Sequence, residues 1–389
     1  MQSKRWGEIF YGCLIGLCAF LLVACATNGQ KEQAPVPLPS IQPKVNLQQS
    51  WKHATDIVYP GPKAWVLDND RLYVAESDGR LTVLDIETGH PIARIETGLA
   101  NLVTLSVDGA DLVLADNNGL IAVFRLDEQF STANLLWKKE LTSKVMAHPV
   151  LAGGKMYVRT LDGKVYALDR GEGRIQWTRE KTVPTLTLNG VSDPLVDQDK
   201  LIVGFDDGEL EALDLATGQL VWKATVALPK GRNVVDRLVD IDGTPQIRQG
   251  VIYVSAYQIR SMAVASESGH ILWELPYGSY QDSLILDDSW VIITKDSQIL
   301  VVDREQGIKE SLMQSLLYRK LTAPVAYQGF VAVGDNEGYV HLIDIGSKTL
   351  AGRLHLGKNP VVALLANQDH LFAMDKKGQI FSCAVKSSQ

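Results

Sequence analysis

Seven histidines are the first places to look for metal or acid–base chemistry: His53, His90, His148, His270, His341, His355 and His370. No two stand four apart, the spacing that sets two imidazoles on one helical face, and none lies in a His-Glu-x-x-His run, so no sequence-local zinc site is present. There is no Gly-x-Ser-x-Gly nucleophile elbow. Gly171-Glu-Gly173 lacks the third glycine of a dinucleotide loop, Gly163-Lys164 lacks the rest of a phosphate loop, and no Cys-x-x-Cys-His haem run occurs. Asp240-Ile-Asp242-Gly243 sets two carboxylates two residues apart, which is how a calcium loop begins. The further oxygen ligands and the terminal Glu are missing, so the run reads as a structural or partner-facing loop. The expectation is a protein with no catalytic residues, no metal site and no cofactor.

The elements that would position any site come from a repeat. Copies of one pattern begin at Leu72, Leu112, Met156, Leu201, Ile252, Val291, Val331 and Leu371. Each opens with a short apolar run, then a turn that is often Asp-Gly (Asp78-Gly79, Asp162-Gly163, Asp207-Gly208), read as a primed hairpin turn. An alternating strand follows, then a turn such as Ala216-Thr-Gly-Gln219, whose glycine supplies the left-handed position. A third strand often carries tryptophan: Trp137, Trp177, Trp222, Trp273. A fourth run, such as Ala147-His-Pro-Val-Leu151, lies between copies. Four short antiparallel strands per ~40–45 residues make one propeller blade. The last copy ends after Ile380–Val385 without a tryptophan strand, and Trp51-Lys-His-Ala-Thr55 is such a strand without a blade. The fold expected is therefore all-β: an eight-bladed β-propeller over residues 51–389, closed by the N-terminal strand completing the last blade.

Composition is ordinary for a globular protein, 46% hydrophobic and 21% charged over 389 residues. With a net charge of −7 and no Lys/Arg cluster, nucleic acid is not an expected partner. Residues 1–24 read as a signal peptide: Lys4 and Arg5 precede the apolar run Phe10–Val23, which is short for a membrane span. The run ends in Leu22-Val23-Ala24-Cys25, similar to a bacterial lipobox, in which the cysteine thiol carries diacylglycerol and becomes the first residue. Two or more acyl chains anchor stably where one does not. In the lipoproteins it resembles, Ala26 rather than Asp after the cysteine favours the outer membrane. Residues 25–50, with Pro35, Pro37, Pro39 and Pro43, read as an extended spacer after the lipidated Cys25. Cys13 and Cys18 leave with the signal, and Cys383 remains as a small core residue.

Departures from the repeat are where function can sit. The interval after Leu201 is the longest and carries Ala227–Pro245, which includes Arg232, Arg237, Asp240 and Asp242. The neighbouring interval holds Thr182-Val-Pro-Thr-Leu-Thr-Leu-Asn-Gly190, where Leu186 and Leu188 share one face. That face is either an exposed apolar interface or the buried start of the next blade, and the spacing does not decide between them.

Two resemblances bear on function. The run Leu213-Asp-Leu-Ala-Thr-Gly-Gln-Leu-Val-Trp222 is similar to the repeat of quinoprotein dehydrogenases, which use pyrroloquinoline quinone. This chain has no Cys-Cys pair and few large insertions, so the likeness implies the fold and leaves a periplasmic quinoprotein enzyme as the alternative. The second rests on the lipobox, the spacer, the eight copies, Asp236-Arg-Leu-Val-Asp-Ile-Asp-Gly-Thr-Pro245, Leu321-Thr-Ala-Pro-Val-Ala326 and Val333-Gly-Asp-Asn-Glu-Gly-Tyr-Val-His341. Together these resemble the BamB family of outer-membrane protein assembly factors. The resemblance implies a non-enzymatic scaffold lipoprotein of the Bam complex on the periplasmic face of the outer membrane. It would bind the POTRA domains of BamA and assist insertion of β-barrel proteins, with unfolded barrel clients as a further partner. Family interface positions fall on Leu186, Leu188, Asp240 and Asp242. The family's basic residue falls on Asn189, where this chain departs, and Arg237 or Arg232 is a substitute. A propeller binding some other envelope protein is the remaining alternative.

Overall fold

A computed structural model describes residues 33–57, 63–130, 132–188, 190–230, 237–257 and 259–386. Cys25 and the signal segment, Asn189 and Arg232 lie outside the described residues. The described chain is all-β. Its strands form eight antiparallel four-stranded sheets, each ordered from an inner to an outer strand. Blades 1 to 7 run over residues 65–96, 102–140, 150–180, 195–225, 246–275, 284–313 and 325–355. Blade 8 consists of residues 361–385 and, as its outer strand, Leu47–Ala54, paired from Leu47↔Val385 to Ala54↔Gln379. The expected closure is therefore observed, and the chain's first strand completes its last blade.

Alternation explains the layering. The two middle strands of each blade are buried on both faces, as in Leu201–Gly204 and Leu210–Leu213, so they read as near-continuous apolar runs. Outer strands alternate exposed and buried, as in Leu220–Thr225. Apolar clusters join neighbouring blades; one unites Tyr157, Trp177, Leu201 and Val203 from blades 3 and 4. Each outer-strand tryptophan locks onto the next blade. A Cβ on Gly89, Gly173, Gly218, Gly269 or Gly307 would stand 2.4–2.6 Å from the ring of Trp51, Trp137, Trp177, Trp222 or Trp273 respectively. Indole N–H groups complete the contact, as in Trp222 Nε1 to the Ser266 carbonyl at 2.9 Å.

The Asp-Gly turns differ from the expected primed pair. In Glu76–Gly79 only the glycine has positive φ, +97°. Gly79 N–H donates to the Glu76 carbonyl, and the Asp78 carboxylate accepts from Arg80 N–H. This is an ordinary turn closed by one left-handed glycine, and an Asp that caps the next strand has no need of positive φ itself.

The described part of the expected spacer also differs. Residues 36–45 lie along the outer edge of blade 7. Val36 bonds Leu317 and Arg319, Pro39 bonds Arg353, and Lys44 and Val45 donate to the Ala351 carbonyl. Leu38 and Ile41 pack on the cluster containing Leu316, Leu321 and Leu350. Proline keeps this stretch extended, and the apolar residues between the prolines dock it.

Candidate functional site

Antiparallel strands give the ring two ends. One end carries the hairpins between second and third strands and every connection from blade to blade. Both sequence departures are such connections: residues 181–194 join blades 3 and 4, and 226–245 join blades 4 and 5. The first strand of blade 4 begins only at Leu195, so Leu186 and Leu188 do not begin that strand. Leu186 is 43% exposed, and Leu188 is half-buried.

The loops are tied together by carboxylates. Asp240 Oδ2 accepts the backbone N–H of Leu188 at 3.0 Å, and Asp240 itself is 1% exposed. A Cβ on Gly190 would stand 2.4 Å from the Asp242 carboxyl carbon, so the first loop's backbone passes directly over that side chain. Between them, Ile241 is fully buried on Gly204, with its N–H on the Phe205 carbonyl. Arg159, 1% exposed, bonds Asp206 (2.6 Å) and Ser192 (3.1 Å) beneath the same loops.

This is a poor setting for negative charge. Burial, reinforced by the charge of Asp206, pushes the Asp240 carboxyl up to about 6 despite the Leu188 bond. Burial and the neighbouring Asp240 and Asp206 charges push Asp242 up to about 7, against the pull of Arg159 and Lys63. Among the described residues, Asp240 Oδ1 and Asp242 Oδ1 have no hydrogen-bond partner. The Asp240 carboxylate lies inside, holding the loop that presents Leu186. Arg237 is exposed at the head of the second described loop.

Sequence reasoning missed what lies inward of these loops. Lys63 of the connection into blade 1 reaches Asp193 and the Val191 carbonyl at the start of blade 4. His148 meets Asp193 through Nδ1 (2.9 Å) and its backbone N–H (2.7 Å). Burial would raise the Asp193 carboxyl, but Lys63 and His148 outweigh it and hold it well below the usual carboxylate range. Asp193 N–H then bonds Thr244, whose own N–H bonds Asp282. The signal was present: His148, Asp193 and Thr244 each precede the proline that opens an inner strand. Among the described residues no group of three His, Cys, Asp or Glu side chains is arranged to hold a metal ion.

A family profile described as "Outer membrane protein assembly factor BamB" matches residues 127–309. The BamB of Nitrosomonas eutropha is 30% identical over 290 residues, 74% of this chain and 69% of that protein. The chain belongs to the BamB family. The Yersinia pestis BamB is 27% identical over 396 residues, 95% of this chain and 98% of that protein. The crystal structure of BamB from Moraxella catarrhalis shares the fold with a TM-score of 0.77 at 24% identity, covering 87% of this chain and 99% of that one. The two tied loops both lie inside or beside the profile's span, so the BamB likeness includes the departures from the repeat as well as the repeat.

Proposed function

We propose that this BamB-family chain is a non-catalytic scaffold of outer-membrane protein assembly, anchored through a lipid on Cys25. It docks on the POTRA domains of BamA through the loops at 184–190 and 237–243. The observation that carries the docking surface is an exposed Leu186 beside a backbone clamped by Asp240: an apolar anchor on a loop held in place. Pre-ordering a loop lowers the entropy lost on association, and a hot spot is an apolar or aromatic group that fills a partner pocket. Asp240 and Asp242 serve chiefly by shaping the loop pair, and Arg237, exposed at the head of the second described loop, supplies the basic group that Asn189 does not. The lipid tether raises the local concentration of the ring near a membrane-embedded partner.

The test is binding of the purified chain to the POTRA region of BamA from the same cell, by calorimetry. Saturable binding weakened by Leu186→Ala with unchanged folding supports the reading. No binding by a folded ring, or full binding by Leu186→Ala, overturns the partner or the site respectively. Quinone absorbance in the purified protein would favour the dehydrogenase alternative instead.

A further inference from the structure

The strap at residues 36–45 decides where the chain leaves the ring. The closing strand runs from Leu47, at the end carrying the third-to-fourth-strand turns, to Ala54, at the end carrying the blade-to-blade connections. A spacer leaving directly from Leu47 would therefore emerge at the turn end. Instead the strap runs back along blade 7. Lys44 Nζ bonds Asp344 (2.5 Å) and Ser347 (2.8 Å) at the turn end. Pro39 accepts from Arg353 Nη2 (3.2 Å) midway, and Val36 N–H meets the Leu317 carbonyl (3.2 Å) in the connection between blades 6 and 7. Arg319, 1% exposed, donates to the Val36 carbonyl at 3.0 Å while bonded to the buried Asp335 at 2.7 Å.

Blade 7 is shaped for this. The outer-strand position that holds tryptophan in blades 2 to 5 is Gly352 here, opposite Leu342 at the same register shift. A Cβ on Gly352 would stand 2.8 Å from the Val45 carbonyl oxygen. The side chain that would block the strap is absent where the strap passes, and the strap covers an outer strand that would otherwise be bare.

We propose that the strap turns the connection end of the ring, with the Leu186 loop, toward the lipid surface on which the chain is anchored. This rests on the reading of Cys25 as the lipidated residue. From Cys25 to Pro35 is ten residues, at most about 35 Å when extended and roughly 17 Å root-mean-square as a flexible chain. Blade strands alone span about 20 Å, more than that root-mean-square length, so the turn end can face the bilayer only with the tether extended past its relaxed reach. With the strap undocked, the tether would be about 22 residues, would reach ~75 Å, and would leave from the opposite end.

The experiment places a fluorophore on Lys358→Cys, exposed at the connection end, or on Gln368→Cys, exposed in the inner hairpin of blade 8 at the turn end. Cys383 is buried and will not label. Energy transfer to a headgroup acceptor is read on phosphatidylethanolamine–phosphatidylglycerol vesicles. Two preparations are compared: the chain as recovered from membranes, and the chain from Cys25 carrying a synthetic maleimide lipid. Transfer at least twofold higher from position 358, equalised by a thirty-residue Gly-Ser insertion after Ala34, is the expected result. A Leu38→Asp, Ile41→Asp variant with native circular dichroism should likewise lose the difference. Equal transfer from both positions in the parent, or higher transfer from 368, overturns the proposal. A membrane-recovered chain without lipid would overturn the anchor while the synthetic arm still decides the orientation.

Discussion

The clamp on Leu188 gives a prediction in which two substitutions at one residue part ways. Asp240→Asn keeps an oxygen that can accept the Leu188 N–H and removes the charge; Asp240→Ala removes both. The wild-type carboxyl is held near 6 against an ordinary 3.8, which at 1.36 kcal/mol per pH unit bounds the effect of ionising it in place at about 3 kcal/mol. The pKa is raised in the fold, so this contribution to stability is complete below about pH 4 and is lost as pH rises through about 6. Asp242, pushed up to about 7, extends the decline. Asp206, Arg159 and Lys63 face the same pair: Asp206 raises both carboxyls, Arg159 lowers both, and Lys63 lowers Asp242. Urea unfolding at pH 4.5 and 8 should find Asp240→Asn more stable than wild type by up to about 3 kcal/mol at pH 8, with the gap closing at pH 4.5. Calorimetry against the POTRA region should find Asp240→Asn within about threefold of wild type. Asp240→Ala, which frees a buried N–H worth ~1–2 kcal/mol, should be roughly 5- to 30-fold weaker. If Asn binds as badly as Ala while folding normally, the charge itself meets the partner and the clamp argument fails. A pH-independent gap would refute the electrostatic part.

Leu186→Ala should weaken POTRA binding by about 1–2 kcal/mol without shifting thermal unfolding, because the side chain is 43% exposed. Gly190→Ala drives a methyl into the Asp242 carboxyl and should part the loops, lowering affinity in the same assay. Arg319→Ala leaves Asp335 and His341 buried without their cation and should destabilise by ~3–5 kcal/mol in urea. Burial opposes ionisation of Asp335, but His341, the Tyr339 N–H and Arg319 hold its carboxyl below the usual range, so the stability it contributes should disappear as pH falls through that lowered value. Trp51→Ala removes the lock between blades 8 and 1, including the Trp51 Nε1 bond to Ile86 (2.9 Å), and should cost about 3 kcal/mol of unfolding free energy.

The fold was legible because its determinants are local and repeated. Tryptophan, Asp-Gly and Thr-Gly turns recur at fixed offsets, and an incomplete last copy plus an orphan first strand is a closure signal one sequence can carry. The loops were legible as departures from that rhythm. What Asp240 does was not, because its burial depends on Ile241 settling over Gly204 and on Arg159 from another blade, a coincidence of residues 81 apart that no spacing rule encodes. The docking of residues 36–45 was not legible for a related reason. Pro35, Pro37, Pro39 and Pro43 announce an extended chain equally well whether it is solvated or docked. The deciding fact, glycine at blade 7's tryptophan position, lies some 300 residues downstream.

The tryptophan–glycine locks are unevenly distributed. Junctions 8/1, 2/3, 3/4, 4/5 and 5/6 have one; the equivalent positions in blades 1, 6 and 7 are Ala93, Ser311 and Gly352. A ring of nearest-neighbour couplings opens where the couplings are weakest. Blades 2 to 6 therefore constitute one cooperative block, and amide protons there should exchange with solvent only through its collective opening. Blade 7, between two unlocked junctions and beneath the strap, is the sector whose amides should exchange by a separate, cheaper opening, so that a ring continuous in space is segmented in free energy.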